Sequence, residues 1–217
     1  MSTMKLVAFA LMLFAPLSEG NPDIPVVDDS DKLDIQKLFH AGIQYGVHFQ
    51  NVYIDEAKLA DKCLLAQRQR PTKTNKIKFS FWNGQEGITT LANVAFSSST
   101  ATEINDQMLV QGVEDKRLSW LQAVGDPYKL LFANDFVCMV IQVPRNLVPQ
   151  DTIKIKEPDG MPVKYCVVLV ASDSLQEGNN SENCTSFFTA NCGMRGSSPR
   201  IKSEQCFKAF LPTEAST

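Results

Sequence analysis

Short apolar runs alternate with polar breaks along most of this chain, and the period of the runs changes once. LDIQKLFHAGIQY, residues 33–45, spaces its apolar residues as a helix does, with Asp31 placed as a cap, and predicts an opening helix. After it the texture is that of strands. VHFQNVY (47–53), CLLAQRQ (63–69), KIKFSFW (76–82), ITTLANVAFS (88–97), EINDQMLVQGV (103–113), YKLLFA (128–133), FVCMVIQV (136–143) and VKYCVVLVA (163–171) are rich in β-branched and aromatic residues, with turn formers between most of them. Eight strands at fairly even spacing, with no helices between, predict an antiparallel barrel or sandwich rather than a parallel sheet. A short helix is expected at 181–190, and PRNLVPQDTIKIKEPDG, residues 144–160, is the most loop-like stretch within the fold. No internal repeat and no domain linker breaks this pattern.

An eight-stranded barrel has an interior just wide enough for packed side chains or one small ligand, so the alternation within each strand carries information. In KIKFSFW, Ile77, Phe79 and Phe81 share one face, and Lys78 and Ser80 share the other. In FVCMVIQV, Val137, Met139, Ile141 and Val143 lie opposite Cys138, Val140 and Gln142. In KYCVVLVA, Tyr165, Val167, Leu169 and Ala171 alternate with Cys166, Val168 and Val170. If Cys138 and Cys166 reach a helix packed outside the barrel, the residues between them face inward and the interior is strongly apolar. Periodicity alone fits a filled core and an open cavity equally well.

The N-terminus changes the expected compartment. Lys5 precedes an apolar run, LVAFALMLFA, and then Ser18-Glu19-Gly20, the pattern of a signal peptide over residues 1–20. Its core is too short to cross a bilayer of roughly 30 Å as a helix. A secreted, soluble protein is expected, with a flexible acidic leader over 21–32 and a single domain over 33–217. Asn179-Asn180-Ser181 and Asn183-Cys184-Thr185 put N-glycosylation acceptors at Asn179 and Asn183. The six cysteines, an even set in such a context, read as a disulfide framework with fifteen connectivities open.

Composition mostly excludes. Apolar residues are 44% of the chain, charged residues 21%, and the net charge is −3, the balance of an ordinary globular protein. The basic residues are scattered, and KTNKIK and KRL are short runs on acidic segments, so nucleic acid is not an expected partner. The two histidines, His40 and His48, are neighbours on or near the opening helix, with no second cluster to complete a metal site. No GxSxG, HExxH or phosphate loop is present. The expectation is a monomer that is not an enzyme and has no cofactor, metal or membrane partner.

KCLLAQ, FSFWNG, NDFVCMVIQVP, YCVVLVASDS, NCTSFFTANC and EQC follow one another in an order and at distances that resemble the tick salivary lipocalins, the group of histamine-binding and related ligand-scavenging proteins. The resemblance covers roughly residues 33–207 and is carried by the order and spacing of the cysteines. The chain departs from the family pattern in two places: the Asp-Ala-Trp signature of the opening helix reads Asp34-Ile35-Gln36, and the YELW strand reads Cys166-Val167-Val168-Leu169. The fold the resemblance implies is mostly β, an eight-stranded antiparallel lipocalin-type barrel with an N-terminal helix and a C-terminal helix packed on its outside. It also implies the pairings Cys63–Cys206, Cys138–Cys184 and Cys166–Cys192.

Function in that family is set by what the barrel holds. Members that bind histamine or serotonin need carboxylates inside, because a buried ammonium is costly unless paired, and aromatic rings add cation–π attraction. Carried over by the cysteine anchors, those acidic positions fall on Met139, Val167, Lys129, and Asn93 or Val94, none of which is acidic. Asp55 and Glu56 are candidates for the barrel mouth or for plain surface. The resemblance therefore implies a cavity lined by Phe79, Phe81, Met139, Ile141, Val167 and Leu169, suited to a fatty acid, an eicosanoid or a sterol. Lys129 is either the partner of a carboxylate head group or an exposed strand-end lysine, and Trp82 and Trp120 each close a barrel end or pack in the core. The alternatives are a biogenic amine ligand and a filled barrel that engages a host protein, such as a complement component, through its outer surface.

Overall fold

The computed structural model describes residues 34–40, 43–50, 63–69, 75–82, 86–100, 104–148, 164–176 and 182–192, all within one compact unit, Lys32–Thr217. The expected signal peptide and leader, Asp31, Asp55, Glu56, Asn179 and Cys206 lie outside the described residues.

The chain begins with helix α1 (Ile35–His40) and continues through strands β1 (Gln44–Gln50), β2 (Cys63–Arg68), β3 (Lys76–Trp82), β4 (Gly87–Ser97) and β5 (Gln107–Gln111). A 3-10 helix, Lys116–Leu121, leads to β6 (Tyr128–Asn134) and β7 (Cys138–Gln142). A 3-10 turn, Arg145–Leu147, then precedes β8 (Cys166–Ala171), followed by helices α2 (Ser172–Gln176) and α3 (Glu182–Asn191). Each strand pairs antiparallel with the next, and β1 pairs with β8, so the sheet is a closed eight-stranded barrel. Closure leaves no open sheet edge.

Asp34 caps α1, its Oδ1 accepting from the Gln36 backbone N–H at 2.8 Å. The helix is shorter than the apolar spacing predicts, because Gln44, Tyr45 and Gly46 are drawn into β1 by pairing with Gln67, Ala66 and Leu65. Ile35, Leu38 and Phe39 bury one face of α1 against the barrel core, where the Phe39 ring meets Tyr45 edge-on at 5.6 Å between centroids. The Tyr45 hydroxyl reaches Phe136 O at 3.4 Å. Arg68 belongs to the same end: Nη1 donates to Gln36 O at 3.2 Å, and its guanidinium lies 5.3 Å from the centroid of Phe96. By antiparallel order, the β5–β6 and β7–β8 connections lie at the opposite end, the mouth.

The pleat sorts the core into two. Ile77, Phe79, Phe81, Met139, Ile141, Val143, Val167, Leu169 and Ala171 belong to the inner cluster, and Cys138, Val140, Cys166, Val168 and Val170 belong to an outer one beneath α3. Cys184, Phe188 and Cys192, spaced four apart, present one face to that outer cluster. Phe187 stacks on Phe132 at 4.8 Å. Disulfides Cys138–Cys184 and Cys166–Cys192 tie this helical segment to β7 and β8. Cys63 is also disulfide-bonded; the pairing expected for it falls on Cys206, outside the described residues.

Two faces differ from the simple alternation. Val137 packs on the outer cluster rather than with Met139, because β7 begins only at Cys138 and the turn before it passes through Asp135 at φ 44°. Ser80, on the outer face of β3, is 4% exposed and bonds the Thr89 hydroxyl at 3.3 Å.

Candidate ligand cavity

A cavity of about 50 Å³ lies in the barrel. Phe39 of α1 contributes from the helix end; Val47, Leu64, Ala66, Phe79, Met108, Tyr128, Ile141, Val167 and Leu169 line the walls. Trp120, Leu121, Val143 and Leu147 close it towards the mouth. Register explains the walls: residues directly paired across a ladder share a face, and the pairs Ala66–Phe79, Met108–Tyr128 and Ile141–Val167 all point in.

Among the described residues no charged side chain is in this lining, and its side-chain nitrogen and oxygen atoms are the Trp120 indole nitrogen and the Tyr128 hydroxyl. The hydroxyl donates to Leu121 O at 2.9 Å. Burial pushes its pKa well above the usual tyrosine range, so it stays a neutral donor. An ammonium entering here would meet no carboxylate among the described residues, and aromatic faces and one hydroxyl oxygen would replace its lost hydration only in part.

Size matters as much as chemistry. Such a cavity needs about 10–15 Å³ for one water, whereas a pocket for a drug-sized ligand measures roughly 300–1,000 Å³. At about 50 Å³ the space holds a few waters, not a lipid chain.

Of the residues expected to form the pocket, Phe79, Ile141, Val167 and Leu169 line the cavity. Phe81 is buried beside it and supports the Trp120 ring edge-on at 6.1 Å. Met139 is 0% exposed in the inner core, opposite Leu169, without lining the cavity. Lys129 is not a pocket residue: its ladder partners are Gln107 and Gln142, it is 43% exposed, and its Nζ lies 3.9 Å from Asp106 Oδ2. Its outward place follows from register, since its neighbour Tyr128 pairs inward with Met108. Asn93 likewise faces out while Val94 is buried in the inner cluster. Asn183 is exposed in the first turn of α3, next to the disulfide-bonded Cys184.

Sequence reasoning missed Phe39, Val47, Leu64 and Ala66 as well as Met108, Leu121, Tyr128 and Leu147. Tyr128 opens a strand whose next residues are nearly all apolar, so alternation gave no inward face; the mouth residues sit on 3-10 turns that have no strand period. Among the described residues no group of three metal-ligating side chains occurs, there is no free cysteine, and no helix is long and apolar enough to cross a membrane.

No protein-family model matches the chain, and no curated protein matches it.

Proposed function

We propose that this is a secreted lipocalin similar to those of tick saliva, which sequesters a hydrophobic or amphipathic host mediator in its barrel to suppress inflammation. A fatty acid, an eicosanoid such as a leukotriene, and a sterol share the required chemistry, an apolar body with few polar atoms. The observation that carries this reading is the lining: fourteen described residues, none of them charged. Burying a ligand of this kind is favourable by roughly 25 cal/mol per Å² of apolar surface, and among the described residues of the lining there is no carboxylate to hold an amine. Two disulfides agree with an oxidising compartment.

The cavity of about 50 Å³ requires that uptake widen the barrel, and the mouth is where this costs least, since Trp120, Leu121 and Leu147 sit on short 3-10 segments rather than on the ladder. The same small volume favours a second reading, in which the barrel stays filled and the protein acts by binding a host protein through its outer surface. Organic extraction of protein secreted from eukaryotic cells, followed by mass spectrometry, separates the two. A stoichiometric lipid supports the carrier; no lipid, together with tight binding to a host protein, supports the effector.

A further inference from the structure

The roof of the cavity is part of the β5–β6 connection, and its two ends are held differently. Its start is fixed to β4: the Glu114 N–H donates to Leu91 O at 3.0 Å, and the Asp115 N–H to Thr90 Oγ1 at 2.9 Å. At its other end Gly125 takes φ +87° with no atom within 4 Å of where a Cβ would stand, and Val124 before it is 72% exposed. A glycine so placed turns without steric resistance. Between these ends Trp120 and Leu121 reach into the barrel.

Four hydrogen bonds hold them there. The Ala123 N–H donates to Val110 O at 3.0 Å, and the Tyr128 hydroxyl donates to Leu121 O at 2.9 Å. The other two use one exposed side chain on the second mouth segment: Asn146 Nδ2 donates to Gln122 O at 3.0 Å, and Asn146 Oδ1 accepts from the Val124 N–H at 3.2 Å. Asn146 thus joins the two segments that close the mouth.

We infer that residues 119–124 form a lid hinged at Gly125 and clasped by Asn146, and that Tyr128 passes its hydrogen bond from Leu121 O to an acceptor on the ligand as the lid lifts. The inference rests on the carrier reading and narrows it. The ligand pairs an apolar body with a carboxyl, keto or ester oxygen near the mouth, because an O–H that has given up Leu121 O needs a new acceptor there. Raising the lid removes Trp120 and Leu121 from the cavity, the volume that an occupied barrel needs.

The test uses a Trp82→Phe background, which leaves Trp120 as the only tryptophan. Without ligand, Asn146→Ala should raise acrylamide quenching of Trp120 and speed amide exchange at Ala123 and Val124 by about fivefold or more, the effect of two lost hydrogen bonds, while exchange at Val140 in β7 stays unchanged. Because Tyr128→Phe also frees Leu121 O and so eases lid opening for any ligand, its effect is read as a ratio: cis-parinaric acid binding should weaken by about threefold to tenfold relative to binding of diphenylhexatriene, a fluorescent hydrocarbon without a head group. Unchanged quenching and exchange in Asn146→Ala would overturn the lid. An unchanged ratio in Tyr128→Phe would overturn the donor role. Failure of the parent protein to bind either probe would sink the carrier reading and the donor role together, and the quenching and exchange data would still decide the lid.

Discussion

Val167 stands directly opposite Ile141 in the β7–β8 ladder, and both side chains line the cavity. The family resemblance assigns a carboxylate to the Val167 position in amine binders, so this pair bears on ligand chemistry. Val167→Glu would bury an acid with no charged partner among the described lining residues, and desolvation would raise its pKa above the ordinary value of about 4.3. A carboxyl whose folded pKa is raised is tolerated below the unfolded value and costs stability as pH rises through it. Relative to Val167→Gln at each pH, the variant should lose about 3 kcal/mol at pH 7 and much less at pH 4, measured by urea unfolding. Equal differences at the two pH values would mean that position 167 is open to water.

Alkali should unfold the barrel for a related reason. Burial pushes the hydroxyls of Tyr45 and Tyr128 above the usual tyrosine range, while tyrosine in an unfolded chain ionises near pH 10. Both folded pKa values are raised, so their contribution is intact below about pH 10 and is lost as pH climbs beyond it. Absorbance at 295 nm should show part of the tyrosine ionising only as far-UV circular dichroism reports unfolding. Complete ionisation of all four tyrosines near pH 10 with the barrel intact would contradict the burial.

How much of this was legible in the sequence depended on the strand. Along β7 and β8 both faces are apolar, and the cysteines alone told outside from inside: Cys138 and Cys166 mark the face under α3, and Met139, Ile141, Val167 and Leu169 follow as inner residues. β6 offered no such mark. Its ladder shifts register between Leu130 and Phe132, and Phe132 packs on α3, so apolar residues occur on both faces and Lys129 could not be placed without its ladder partners. The start of β1 read as helix because the spacing of Ile35, Leu38, Phe39 and Ile43 continues into Tyr45; only pairing on both sides, with β2 and β8, pulls Tyr45 into the sheet. Which cysteines pair came from the resemblance and not from their spacing.

The outer helix should depend on its staples more than the barrel does. Replacing Cys138 and Cys184 together by alanine removes a link that closes 46 residues and should cost about 2–4 kcal/mol. Hydrogen exchange should quicken first in α3, while amides of β3 and β4, which are not ladder neighbours of β7, keep their protection until global unfolding. Simultaneous loss of protection in β3 and α3 would show that the helix is part of the barrel's cooperative unit.

The central claim is that the barrel selects an apolar body over an amine. Native mass spectrometry of the purified protein, offered arachidonic acid and histamine at equal concentration, tests it most directly. The account predicts a one-to-one adduct with the fatty acid and none with histamine. A histamine adduct, or no adduct with the fatty acid, would contradict it.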